Sequence, residues 1–153
     1  MSYCVALKLT RGLIFMSDTL TNGGVDNISC YPKTFSWGIP GERQIFLSTA
    51  GNLATTQSVV STLSEQTKVT NERDPSILHA PTMFQVARSV SRTLSEVIGS
   101  SAPGQQVADS AFSATMILGG QIKGSEMRLY LSYPEGNFME VSESNPFYQI
   151  GET

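Results

Sequence analysis

Hydrophobic and polar positions alternate from the first residues of the chain. Tyr3, Val5, Leu7 and Leu9 fall on one side of a period-two pattern, with Cys4, Ala6, Lys8 and Thr10 on the other, the signature of a strand. Arg11-Gly12 reads as a turn, and residues 13–16 as a second apolar strand ending at Ser17-Asp18. The two strands make a hairpin. Asn22-Gly23-Gly24 and Asp26-Asn27 form a loop rich in turn residues. Residues 33–37 predict a third strand, 38–42 a second hairpin turn and 44–49 a fourth strand. Ala50-Gly51-Asn52 then closes that strand and opens a helix, with Leu53, Val59, Val60 and Leu63 on its apolar side.

Residues 64–80 are mostly polar and read as a surface connection. Beyond them Met83, Val86, Ala87, Val90, Leu94, Val97 and Ile98 recur at helical spacing. Pro81 suits the start of this helix and Gly99 its end. A Ser/Pro/Gly loop over 100–106 follows, and then strands at 112–118, 127–133, 138–141 and 147–150, with Pro134-Glu135-Gly136 as a turn. Four strands, two helices and further strands, without an internal repeat, predict an α+β domain spanning 1–153. Its sheets are mostly antiparallel, with the helices segregated to one face.

Composition narrows the class. The chain has 153 residues, 40% apolar and 15% charged, with a net charge of −3. That supports one globular domain with a single sizeable core. No dense Lys/Arg patch points to nucleic acid, and no apolar run is long enough to span a membrane. No secretory leader opens the sequence, so a cytoplasmic protein is expected. Cys4 and Cys30 lack the spacing of a zinc or redox motif and read as buried free thiols.

The familiar catalytic kits are missing. His79 is the single histidine, placed in a polar connection with no Gly-x-Ser-x-Gly elbow, and reads as exposed or lightly packed. Neither a metal-spaced cluster nor a phosphate loop occurs, so no metal or cofactor is expected. What remains is a nucleophile that needs no histidine. An N-terminal Ser can use its own α-amine, whose reference pKa is roughly 7.7–8.0, as general base. A nearby cation would stabilise the alkoxide, a carboxylate would hold that cation, and a backbone N–H at a helix start could bind the oxyanion. Ser2 begins the first strand, and Asp18 ends the second at the same end of the hairpin. Lys33 opens the third, and Gly51 sits at a strand-to-helix corner. Taken singly, each has an ordinary explanation: a small second residue, a turn carboxylate, a solvated lysine, a corner glycine.

Together they resemble a family. "MSYCVALKL", "GLIFMSDTLTNGGVDNIS", Lys33 and "IFLSTAGNLA" look like the start of a proteasome-type β subunit, most of all the bacterial Anbu family and more distantly the HslV peptidase. "RLYLSYPEGNFMEVSESNPFYQIGE" resembles the later strands. Asp18 lies sixteen positions after Ser2 and Lys33 fifteen after Asp18, in the family's order. The resemblance implies a four-layer αββα N-terminal nucleophile hydrolase. Ser2 would be the nucleophile with its own amine as base, Lys33 the group tuning both, Asp18 its partner and Gly51 the oxyanion donor. Thr49, Leu53 and Tyr31 fall where the family builds its first specificity pocket. The family also implies a homo-oligomer, ring-like or open helical, acting on peptides or small amides. An ATP-dependent unfoldase partner is neither indicated nor excluded.

Three departures stand out. Ser replaces the usual Thr and lacks the methyl that fixes χ1, so slower turnover is expected. Leu20 stands where the family usually has Arg, which removes a polar support near Lys33. The chain also stops short of the family's C-terminal third, including the Ser/Asp/Ser group brought beside the nucleophile. A fragment with wet apolar sheet faces, not stable alone, is therefore expected. Where Met1 is retained, the amine is not on Ser2 and the base is lost. The alternative reading is a non-catalytic or weakly active shell or scaffold subunit. A generic amidase of a small metabolite would share the site and differ in its pocket.

Overall fold

The structure is a computed structural model, which describes residues 2–22, 28–101 and 111–151. Among the described residues, ten strands and two helices build an α+β unit. Strands β1 (Tyr3–Leu9) and β2 (Gly12–Ser17) form the expected hairpin, and β10 (Phe147–Gly151) pairs antiparallel with β1 on its other edge. This three-stranded sheet has the order β10-β1-β2. A second, five-stranded antiparallel sheet has the order β5-β6-β7-β8-β9. It is made by β5 (Thr34–Ile39), β6 (Arg43–Gly51), β7 (Ala114–Ile122), β8 (Arg128–Ser132) and β9 (Phe138–Glu140). Between β2 and β5 the chain forms a small hairpin, β3 (Leu20–Asn22) with β4 (Ile28–Cys30). The turn-rich residues 23–27 lie outside the described residues.

Helices α1 (Leu53–Gln66) and α2 (Met83–Ser101) pack on one face of the five-stranded sheet. Asn52 caps α1 by accepting from the Thr55 N–H at 3.0 Å, and Thr82 caps α2 by accepting from Gln85 at 3.2 Å. Two cores result. One lies between helices and sheet, with Leu47, Val59, Leu63, Val86, Val90, Leu94, Met116 and Leu118 in it. The other fills the gap between the sheets, with Cys4, Ala6, Ile117, Leu129, Tyr148 and Ile150. The described residues thus supply three of the four expected layers: helices, sheet, sheet.

Several expectations change. Gly99 does not end the second helix, which runs on to Ser101, because packing of Val90, Leu94 and Ile98 outweighs one glycine's modest helix penalty. Most of the 100–106 loop lies outside the described residues. The connection after α1 is not wholly superficial: Ser76, Ile77 and Ala80 are buried. Arg43, itself buried, reaches beneath it and donates to the carbonyls of Ile77 and Ala80 at 2.9 and 2.8 Å. Arg43→Met should therefore lower stability by roughly 2–4 kcal/mol in urea unfolding; a change within about 0.5 kcal/mol would show these bonds to be dispensable. Cys30 is exposed and only Cys4 is buried; a three-residue hairpin strand has no second sheet over it. His79 is exposed, as expected, with Ser76 Oγ 3.0 Å from its Nδ1.

The alternation of β1 holds, but its small residues take the core. Cys4 and Ala6 face the second sheet, where Phe15 and Tyr148 flank Ala6 in register. The bulkier Tyr3, Val5, Leu7 and Leu9 face outward, beside Ile14, Met16 and Phe147 on the neighbouring strands. Met16 is 63% exposed. No described residue covers this apolar face.

Candidate active site

Asp18 follows directly on β2, so antiparallel pairing carries it alongside the start of β1. Its amide donates to the Tyr3 carbonyl at 3.1 Å, and its Oδ1 accepts from the Tyr3 N–H at 3.0 Å. The same oxygen accepts from Lys33 Nζ at 2.8 Å. The Lys33 ammonium also donates to the Leu20 carbonyl at 2.7 Å. Lys33 is 5% exposed at its side chain and Asp18 39%, so the cation is sheltered while the carboxylate opens to water. Burial pushes the Asp18 carboxyl up, but the hydrogen bonds from Lys33 and Tyr3, with the Lys33 charge, outweigh it and hold the group below its ordinary value.

Lys33 is fixed from the other side by β6, whose Thr49 N–H donates to the Lys33 carbonyl at 2.8 Å. The Thr49 carbonyl accepts from Cys4 Sγ at 3.4 Å. Cys4 thus lies buried beside the ion pair. Burial first, then the Asp18 charge, pushes its thiol up to about 11, against the pull of Lys33 and the Thr49 hydrogen bond. It stays a neutral thiol at physiological pH, which removes it as a rival nucleophile.

Gly51 ends β6 at φ +118°, where a Cβ would sit 2.6 Å from the Ser113 carbonyl and 2.7 Å from Ala114 Cα. Only glycine fits this corner. The next residue, Asn52, starts α1. Gly51 and Gly151 line one cleft of about 350 Å³ together with Ala50, Ser113, Ala114, Thr115, Gln149 and Ile150. Ser2 lies at that end of the sandwich: a side chain on Gly151 would run into the Ser2 carbonyl. The residues singled out in the sequence therefore gather at one end of the two sheets.

The three pocket residues are less uniform. Thr49 is 3% exposed and its hydroxyl donates to the Lys33 carbonyl at 3.3 Å. Leu53 lines a cavity of about 310 Å³ with Pro32, Phe35, Thr56, Gln57, Val60 and Ser61. Tyr31 is exposed beside that wall, its N–H bonded to the Thr19 carbonyl at 2.9 Å. No group of His, Cys, Asp and Glu able to hold a metal occurs among the described residues, and none of their helices is long and apolar enough to cross a membrane.

No family model and no curated protein matches the chain, but solved structures do. Anbu from Hyphomicrobium sp. strain MC1, as its (Gly-1) mutant, is 44% identical with a TM-score of 0.85, over 100% of this chain and 60% of that one. Anbu from Yersinia bercovieri, described as an ancestral β-subunit, is 41% identical with a TM-score of 0.84, over 98% and 60%. The helical assembly of the Anbu complex from Pseudomonas aeruginosa is 39% identical with a TM-score of 0.88, over 98% and 61%.

The chain belongs to the Anbu family. It spans about three-fifths of the length of the Anbu chains it matches. Within that frame Leu20 takes on a different meaning. Its side chain is 52% exposed and gives Lys33 nothing, but its backbone carbonyl accepts directly from the ammonium. The support lost with the family's Arg is therefore not missing from the cation's surroundings. Sequence reading could not see this, because a backbone acceptor has no residue type. Cys4 reads in the sequence as a buried thiol but not as a neighbour of the ion pair, because alternation pairs it with Ala6 on one face without saying that this face is the core.

Proposed function

We propose that this chain carries the nucleophile end of a self-assembling, proteasome-like peptidase or amidase, cytoplasmic and free of cofactors, in which Ser2 is the first residue of the mature protein. The observation that carries the reading is the single carboxylate oxygen of Asp18, shared by the Lys33 ammonium and the Tyr3 amide. It ties a sheltered cation to the peptide unit immediately after Ser2. The neutral Ser2 amine takes the hydroxyl proton as Oγ attacks the substrate carbonyl. The Lys33 charge favours the alkoxide and keeps the amine unprotonated at neutral pH. The Gly51 N–H donates a hydrogen bond to the developing oxyanion. The protonated amine then gives its proton to the leaving amine, and water hydrolyses the Ser2 ester by the same route.

Thr49, Leu53 and Tyr31 form the first specificity wall on this reading, with Leu53 and its cavity receiving a side chain of modest size. The apolar outer face of the three-stranded sheet fits the fourth layer of the expected sandwich lying over it in the whole protein. A homo-oligomer, ring-like or open helical, is supported by the likeness to the helical assembly of the Anbu complex from Pseudomonas aeruginosa. The scaffold alternative drew support from Leu20, and the backbone bond to Lys33 weakens that support.

Intact mass and covalent labelling test the proposal together. Protein whose mass shows Met1 removed should gain one equivalent of a serine-reactive fluorophosphonate, mapped to Ser2. Protein that keeps Met1 should gain none. Correctly processed protein that takes no label at Ser2 would leave the scaffold reading in its place.

A further inference from the structure

Asp18 and Lys33 belong to different sheets. Asp18 extends β2 of the three-stranded sheet and Lys33 precedes β5 of the five-stranded one. No backbone ladder joins β2 to β5 themselves. The β3–β4 hairpin and the Tyr31 N–H bond to the Thr19 carbonyl tie the chain after Asp18 to the chain before Lys33. Side chains add a second link one residue from the ion pair. The residue preceding Asp18 and the residue following Lys33 meet directly: Ser17 Oγ lies 3.0 Å from Thr34 Oγ1. Thr34 Oγ1 lies 2.8 Å from Ser48 Oγ on β6, its register partner, and Ser48 is fully buried. A threonine hydroxyl has one proton and can both donate and accept. The three hydroxyls therefore form a hydrogen-bonded chain, with either partner of each bond able to donate, that binds the edge of one sheet to the other, one residue from the ion pair.

The geometry points to Thr34 and Ser17 as positioning residues, a hydroxyl clamp between the sheets that holds Asp18 at bonding distance from Lys33. The inference rests on the proposed function for its catalytic meaning, but the clamp itself is a statement about geometry. Among the described residues, the titratable groups that act on Asp18 are Lys33 and Cys4. Cys4 is a neutral thiol over the range where Asp18 titrates. With the clamp cut, the edges of β2 and β5 keep only the β3–β4 connection and the core between the sheets to hold them. The Asp18–Lys33 contact then loosens, and the carboxylate loses part of its hydrogen bond and Coulomb attraction. The cation also loses part of its link, through Asp18, to the peptide unit after Ser2. The described hydroxyl bonds of Ser17 and Thr34 run to each other and to Ser48, so the two substitutions remove the clamp and leave the Asp18 and Lys33 side chains themselves in place.

The test uses the whole assembled protein with its aspartate carboxyls labelled with carbon-13, the Asp18 signal assigned by Asp18→Asn. Ser17→Ala and Thr34→Val should each raise the Asp18 titration midpoint by about half a pH unit or more. Both should slow acylation of Ser2 by the fluorophosphonate about threefold or more. Thr34→Ser, which keeps the hydroxyl, should restore both values. An unmoved Asp18 midpoint in the two clamp variants overturns the inference, even if they are less stable than wild type. If Thr34→Val does not fold, Ser17→Ala decides alone, because it leaves the Thr34–Ser48 bond in place. Midpoints that rise in the two clamp variants, beside a processed wild type that takes no label at Ser2, would uphold the clamp and refute the proposed function.

Discussion

Replacing Ser2 with Ala is expected to abolish hydrolysis of a fluorogenic peptide amide, a loss of at least roughly a thousandfold in kcat. The change removes one oxygen from a residue that precedes β1, and it leaves both bonds between Tyr3 and Asp18 untouched. Stability and assembly should therefore match wild type, so that lost activity reports lost chemistry. Ser2→Thr is the companion experiment. It keeps the hydroxyl and adds the β-branch that restricts χ1, so it should retain activity or raise it by up to about tenfold. Two results would sink the nucleophile assignment: full activity in Ser2→Ala, or equal activity in protein that retains Met1. The buried Cys4 cannot rescue such an outcome, because its thiol is not ionised near neutral pH.

How much of this was legible in the sequence depends on what kind of interaction carries each feature. The β1–β2 hairpin and the helix over Met83 to Ile98 announce themselves by period, since one face of each is buried. The convergence of Ser2 and Asp18 followed from the same logic: antiparallel pairing brings the start of one strand to the end of its partner. Lys33 and Gly51 were legible as positions, and their gathering around Ser2 came from the family's order of elements. No local signal would have joined two sheets. The hidden parts are those that use backbone or tertiary register. The Leu20 carbonyl binds Lys33 although leucine advertises nothing polar. Ser17, Thr34 and Ser48 meet only because the sheets stack with a particular offset. The outward turn of Tyr3, Val5, Leu7 and Leu9 was hidden for a related reason. Alternation defines two faces but not which of them is the core, and the narrow gap between the sheets takes the smaller set.

Lys33→Met should be nearly as damaging to chemistry as loss of the nucleophile, and it also leaves a mark on folding. The variant keeps the apolar stem in its buried slot but removes the donor to Asp18 and to the Leu20 carbonyl. Without the fixed cation, acylation of Ser2 should slow by about a hundredfold to a thousandfold. The Asp18 carboxyl should rise toward the usual carboxylate range, because the Lys33 hydrogen bond and charge are what hold it down against burial. That shift fixes a sign for stability. In the wild type the folded-state value lies below the unfolded one, so the pairing stabilises the fold above the unfolded value of about 4 and is lost as pH falls through the folded value. The variant has less of this contribution to lose. The stability gap between wild type and Lys33→Met should accordingly be widest near about pH 7 and narrow near about pH 3 in urea unfolding. Lys33→Arg is not a rescue, since a planar guanidinium needs different acceptor geometry from a compact ammonium in a slot only 5% exposed. A gap of equal size at both pH values, with acylation unchanged, would mean that the ion pair neither tunes Ser2 nor stabilises the start of the first strand.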